Sequence, residues 1–192
     1  MPFEFRSLPI TGLVLVERKS FEDARGFFEE TFKESVFGVH GIPGAFPQDN
    51  HSYSRGGVLR GLHFQLPPRA QGKLVYVVTG EIVDVAVDLR DGSPWFARWH
   101  AVVLSEKNRR MLYLPPGFAH GFYVRSEAAH VVYKVTEEYA AALDAGVRWD
   151  DPDVGVQWPN PDPQLSDRDA SLPWLRDVRE KLAFQYVEES AT

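Results

Sequence analysis

The sequence predicts an all-β sandwich or barrel of many short strands, and three observations carry that reading. Val-rich strand-like segments recur at short spacing from about residue 12 to residue 135. Gly- and Pro-containing turns separate them, and helical spacing is confined to two short stretches. In order, Gly12-Leu13-Val14-Leu15-Val16 opens as a strand, and Arg25-Gly26 then turns into Phe27-Phe28-Glu29-Glu30-Thr31-Phe32. Glu34 to Phe37 can form a helical turn. Lys73 to Val78 and Glu81 to Leu89 flank Thr79-Gly80, which reads as a two-residue hairpin turn. Within the second arm, Val83, Val85, Val87 and Leu89 share one face, and Ile82, Asp84, Ala86 and Asp88 the other. Arg98 to Leu104, Met111 to Leu114, Phe118 to Val124 and Ala129 to Val135 continue the series. Pro152 to Pro173 contains too many prolines for a central strand and reads as a long ordered tail, followed by a terminal helix over Trp174 to Tyr186.

Composition bounds the function. At 192 residues, 44% apolar and 25% charged, the chain suits one soluble domain over residues 1–192, with a Pro-rich C-terminal extension over about 152–192. A net charge of −6 argues against nucleic acid as a partner. With no cysteine there is no disulfide, thiol nucleophile or thiolate metal site. Met1-Pro2-Phe3-Glu4-Phe5 lacks the basic start and apolar core of a signal peptide, and no apolar run approaches the ~20 residues that span a bilayer. The expectation is a cytoplasmic protein without a membrane partner.

Two motifs carry chemistry. Arg60-Gly61-Leu62-His63-Phe64-Gln65, followed by Lys73, places groups fit for proton transfer and anion binding on a strand amid apolar sequence. Burying such groups unpaired costs roughly 1–3 kcal/mol each, so they need a partner or a task. Arg60 and His63, three apart, fall on opposite faces of a regular strand. Either a bulge at Gly61 re-aims one of them, or they serve different parts of a site. The second motif, Leu114-Pro115-Pro116-Gly117-Phe118-Ala119-His120-Gly121-Phe122, brings His120 just past a tight turn, where it can meet His63 inside a small barrel. A lone strand histidine is more often structural than catalytic; the neighbouring Arg60 and Lys73 reverse that balance for His63. His40, His51, His100 and His130 carry no local constellation.

These pieces resemble the dTDP-4-dehydrorhamnose 3,5-epimerase family, whose members are cupin-like β-barrels. The matching segments are Arg25-Gly26-Phe27-Phe28-Glu29-Glu30, Gln48-Asp49-Asn50, the Arg60 to Gln65 run, Gln71-Gly72-Lys73-Leu74-Val75 and Asp84 to Arg90. They continue with Pro115 to Phe122, Tyr133-Lys134, Tyr139, Arg148-Trp149-Asp150-Asp151-Pro152 and Leu165-Ser166-Asp167-Arg168-Asp169, in the family's order. The resemblance implies a cupin-like jelly roll with a few short, mainly C-terminal helices, and a dTDP-linked 4-keto sugar as substrate. It also implies epimerisation at C3 and C5 without a cofactor, because the C4 ketone already acidifies both hydrogens. By resemblance His63 is the base, Asp169 orients it, Lys73 stabilises the enolate and Tyr133 is the opposing acid. Arg25, Phe27, Glu30, Gln48, Asn50, Arg60, His120, Tyr139, Asp144 and Arg168 match substrate-binding positions. At Asp144 the family often has Glu, and at Arg168 Lys. Relatives form homodimers with N-terminal strand exchange, which would carry Phe27 and Glu30 toward the neighbour's ligand.

Three rivals stand beside this reading. A metal-dependent cupin wants a His-x-His pair with a carboxylate and a further His, whereas position 65 is Gln; no metal is expected. A non-catalytic sugar-binding barrel needs no acid and base on opposite faces. A single-centre 3- or 5-epimerase of a dTDP-4-keto sugar shares every motif.

Overall fold

The computed structural model describes residues 2–187. Two antiparallel sheets lie face to face. The first has the order β1 (Phe3–Ser7), β2 (Val14–Arg18), β10 (Arg110–Leu114), β7 (Lys73–Thr79), β12 (Ala128–Val135), β5 (Gln48–Arg55). The second runs β13 (Asp144–Gly146), β6 (Leu59–Gln65), β11 (Phe118–Val124), β8 (Glu81–Asp88), β9 (Trp99–Ser105). A separate hairpin pairs β3 (Ser20–Asp23) with β4 (Gly26–Glu29) and joins neither sheet. The helices are single turns: α1 (Glu34–Phe37), α2 (Asp167–Ala170) and α3 (Leu175–Val178). The expected all-β sandwich is what forms.

Alternation along the strands explains the layers. Val75 and Val77 of β7, Leu112 and Leu114 of β10 and Val131 of β12 meet Ile82 and Ala86 of β8 and Phe118 and Phe122 of β11 between the sheets. The opposite face of the second sheet, carrying Leu62, Phe64, Val85 and Val87, is covered by Val154, Leu175, Leu182 and Phe184 from the C-terminal extension. Phe37 and Ile42 cover Phe3, Val16, Leu74 and Met111 on the outside of the first. Both faces of β8 are therefore buried, with the parity the sequence predicts.

Two expectations are corrected. Thr79-Gly80 is not a hairpin turn, because β7 pairs with β10 and β12 while β8 pairs with β11 and β9. The chain instead turns a corner from one sheet to the other. Gly80 has φ +90°, and an added Cβ would collide with the Ala128 carbonyl, so the corner demands glycine. Trp174 to Tyr186 is not a helix beyond α3 and a 3₁₀ turn at Arg179–Lys181. Beyond it the backbone brackets Asp91: the Asp91 N–H donates to the Phe184 carbonyl at 2.8 Å, and the Tyr186 N–H to the Asp91 carbonyl at 2.9 Å. Extended chain lays both Leu182 and Phe184 on the sheet, and the Arg90 guanidinium sits over the rings of Phe118 and Tyr186. That tertiary packing overrides the helical spacing. Sequence reading also passed over β1, β5 and β13, all at sheet edges, and β3 of the separate hairpin; β5 alternates polar residues with few apolar ones, so it lacks the Val-rich signature.

Candidate active site

Between the sheets opens a cleft of about 220 Å³ lined by Ser52, Arg60, His63, Lys73, His120, Phe122, Tyr133 and Arg168. Lys73 and Tyr133 come from β7 and β12 of the first sheet; Arg60 and His63 from β6, and His120 from β11, of the second. His63 and His120 are direct cross-strand partners. Two residues later on β11, Phe122 pairs with Arg60, so β6 carries one extra residue between the two pairs. That bulge falls at Gly61 and Leu62, and it brings Arg60 to the same cleft as His63 despite their odd spacing. Gly61 has φ +135°, and a Cβ there would stand 2.5 Å from the Gly121 Cα. Glycine is needed on both strands for the backbones to approach.

His63 Nε2 lies 2.6 Å from the Asp169 carboxylate. Asp169 sits in α2, whose N-cap Ser166 accepts a hydrogen bond from the Asp169 N–H and so aims the carboxylate at β6. Donation from Nε2–H to Asp169 leaves the lone pair of His63 on Nδ1. Burial pushes the Asp169 pKa up, but the hydrogen bond and charge of His63, with smaller help from Ser166 and Arg168, hold it below the ordinary carboxylate value. Burial also pushes the Lys73 ammonium down to about 8, against the opposing pull of Asp144 and Asp84. The Lys73 Nζ donates, at a long 3.5 Å, to the His63 carbonyl. Tyr133 is raised above its ordinary value, mainly by burial, and so is a neutral O–H donor at physiological pH. Arg60 is braced by the Ser54 hydroxyl at 2.9 Å.

A connected rim adjoins the cleft. Gln48 Nε2 donates to Asn50 at 2.8 Å, the Tyr139 N–H to Gln48 Oε1 at 2.7 Å, and the Tyr139 O–H to Asp144 at 3.1 Å. Arg168 closes the chain with a 2.6 Å ion pair to Asp144. Tyr139 is itself exposed. Gln48, Asn50, Tyr139, Asp144 and Arg168 are thus one network, although they span more than a hundred residues of sequence. Arg25, Phe27 and Glu30 are not brought to the cleft of their own chain. Arg25 is exposed and ion-paired with Asp23 at 2.6 Å, and Phe27 lines a different depression with Arg18, Tyr76 and Arg109.

Sequence reading missed Asp84 as a site residue. It is fully buried, and one of its oxygens lies 2.8 Å from His120 Nε2. The available signal was a carboxylate on the interior face of a Val-rich strand. Ser52, with a buried hydroxyl that has no partner among the described residues, was missed as well. His51 and His130 are not isolated, since their rings meet at 2.9 Å across β5 and β12. Gln65, which stands where a metal cupin has its second histidine, is buried and holds backbone groups of Arg69, Glu138 and Ala140. Among the described residues no three His, Cys, Asp or Glu side chains gather as a metal site.

Comparison with known proteins identifies the family. A family model described as dTDP-4-dehydrorhamnose 3,5-epimerase matches residues 7–177. The dTDP-4-dehydrorhamnose 3,5-epimerase of Shigella flexneri is 50% identical over 161 residues, covering 83% of this chain and 89% of that protein. The solved dTDP-6-deoxy-D-glucose-3,5-epimerase of Legionella pneumophila, in complex with dTDP-4-keto-L-rhamnose, superposes with a TM-score of 0.92 at 41% identity, covering 97% of this chain and 100% of that one. A 3'-monoepimerase of Streptomyces bikiniensis, in complex with dTDP-quinovose, is also similar, with a TM-score of 0.84, 35% identity and coverage of 91% and 89%. The shared architecture is the cupin-like jelly roll. By sequence and by fold, this chain belongs to the dTDP-4-dehydrorhamnose 3,5-epimerase family.

Proposed function

We propose that the protein is an isomerase that converts dTDP-4-dehydro-6-deoxy-D-glucose to dTDP-4-dehydro-L-rhamnose, in the biosynthesis of dTDP-L-rhamnose. One observation carries the reading. The His63–Asp169 pair and Tyr133 reach a single cleft from different sheets, with the Lys73 ammonium between them in sequence and in the same cleft. Inverting a carbon α to a ketone requires removing a proton on one face and returning one on the other. His63 Nδ1 accepts the C–H proton while the bonding electrons move to the C4 oxygen, and Asp169 stabilises the imidazolium. Lys73 donates to the resulting enolate oxygen. Tyr133 then protonates the opposite face, and exchange with solvent restores both groups. Repeating the sequence at the second α-carbon completes the double inversion. The ketone supplies the acidity, so the steps call on no cofactor.

The cleft is smaller than the roughly 300–1,000 Å³ of pockets that enclose drug-sized ligands. It suits the hexose alone and leaves the nucleotide to the rim. Arg60 and Arg168 offer donors for sugar and phosphate oxygens, and His120 offers Nδ1 as an acceptor to a sugar hydroxyl within the cleft. Gln48, Asn50 and Asp144 offer partners for polar groups at the rim, and the exposed Tyr139 ring a stacking face. The remaining groups, Arg25, Phe27 and Glu30, act on the neighbouring subunit's ligand in a homodimer. The exposed phenyl rings of the β3–β4 hairpin support this, and so does the absence of a backbone ladder between it and either sheet among the described residues. Side chains alone tie it to its own chain, with Glu29 on Arg18 at 2.7 Å and Glu22 on Arg109 at 3.0 Å, whereas strand β1 is paired along its length with β2.

The test is incubation with dTDP-4-keto-6-deoxyglucose in deuterated water, with label located by NMR. Deuterium at both C3 and C5 is expected. Label at one carbon would instead establish the single-centre reading, which similarity to the Streptomyces bikiniensis monoepimerase keeps in view. His63→Ala should lose ~10²–10⁴-fold in exchange rate, and a fully active variant would refute the assigned base. Absence of exchange by wild-type enzyme would sink the whole reading.

A further inference from the structure

Beneath the cleft lies a carboxylate that the steps above do not use. Asp84 has no solvent exposure, on the interior face of β8. Its Oδ1 lies 2.8 Å from His120 Nε2, while its Oδ2 is buried and finds no donor among the described residues. A buried carboxylate oxygen left without a donor costs about 1–3 kcal/mol. Neutral residues of similar size would pack a Val-rich strand better. Resting on the epimerase reading, we propose that Asp84 is a positioning residue for the reaction: from beneath the cleft it holds the His120 ring in one tautomer and sets a carboxylate behind the cleft that Lys73 shares.

The role of Asp84 has two parts. With Asp84 accepting from Nε2–H, neutral His120 presents Nδ1 as an acceptor, and the ring cannot turn without stranding the carboxylate. Asp84 thus does for His120 what Asp169 does for His63, so two carboxylate–histidine pairs stand on adjacent strands. The second part concerns charge. Lys73 shares the cleft with Arg60, His63, His120, Tyr133 and Arg168, and feels the carboxylates of Asp84 and Asp144. Asp144 favours its protonation most but is ion-paired with Arg168, which opposes it; Asp84 adds to Asp144 from the buried side of the cleft. Removing that charge leaves desolvation less opposed, and the ammonium gives up its proton at lower pH.

Asp84→Asn keeps the shape and a carbonyl acceptor for His120 but removes the charge. The alkaline limb of kcat/KM, read from solvent exchange, should move toward neutrality, so that the variant loses more near pH 8 than near pH 6.5. Most of that loss should be recovered near pH 6.5. A loss equal at all pH values, or an unmoved limb, would overturn the proposal. A second measurement needs no variant: ¹⁵N NMR of wild-type protein should find neutral His120 protonated on Nε2, and the opposite tautomer would overturn it even if Asp84→Asn fails to fold. Failure of the epimerase reading would show separately, as wild-type protein inactive on the keto sugar with the His120 tautomer still as expected.

Discussion

His63 and Tyr133 differ in what their surroundings do to them, and the difference suits the tasks proposed for them. His63 is partly open to the cleft and backed by a carboxylate held in its charged form, so it is ready to take a proton. Tyr133 is raised by burial and holds its proton through the neutral range. Lys73 must be charged to meet an enolate, and its value of about 8 sets a limit: below it the ammonium is present, above it the stabilising charge is lost. The exchange rate should therefore fall as pH rises through about 8. Lys73→Gln should abolish that limb and lower kcat by roughly 10²–10³-fold, as a pH series on both proteins would measure. Asp144 and Arg168, the two departures from the family pattern, turn out to be partners. A shorter acid faces a longer base, and the 2.6 Å pair keeps its reach.

Two elements exist to aim side chains. The bulge in β6 turns Arg60 toward the cleft that His63 already faces, and only glycine fits its backbone. Gly61→Ala should cost about 1–3 kcal/mol from backbone strain alone, seen in chemical denaturation, with a disproportionate fall in kcat as both side chains are displaced. In α2 the Ser166 cap fixes the turn that carries Asp169. Ser166→Ala should cost roughly 1 kcal/mol and lower kcat more than it raises KM, since the dyad acts in the chemical step. The bulge was legible as a question, because a spacing of three cannot place two strand residues on one face. Its answer lay in the pairing with β11, which no local pattern states. The supposed Thr79-Gly80 hairpin failed for the same reason: two strands joined by a glycine corner read alike whether they pair or part.

Over the whole molecule, the C-terminal extension both covers the second sheet and supplies side chains to the cleft. It closes the outer face of the second sheet with Leu175, Leu182 and Phe184 and delivers Asp169 and Arg168 to the site. At the other end, Phe21, Phe27 and Phe28 of the β3–β4 hairpin are 51%, 62% and 67% exposed. So much aromatic surface on one small hairpin calls for a covering partner. Phe21→Ser with Phe28→Ser should convert a dimer to monomer in sedimentation at micromolar concentration. KM should rise as well, because Phe27 and Glu30 would no longer reach the neighbour's ligand. A monomeric wild type would refute the exchange. No helix among the described residues is long and apolar enough to cross a membrane.

The sequence by itself determined the β character, the two faces of β8, the family, and which side chains are candidates for the chemistry. Those follow from local alternation and from residue types that suit proton transfer. The tertiary structure alone decided which strands pair, where the chain changes sheet, and which carboxylate serves which histidine. Asp169 lies 106 residues from His63, and Asp84 meets His120 across 36. Such pairings depend on how two sheets and a C-terminal cover pack together. A strand's alternation shows which side is buried, but not what waits on the other side of the core.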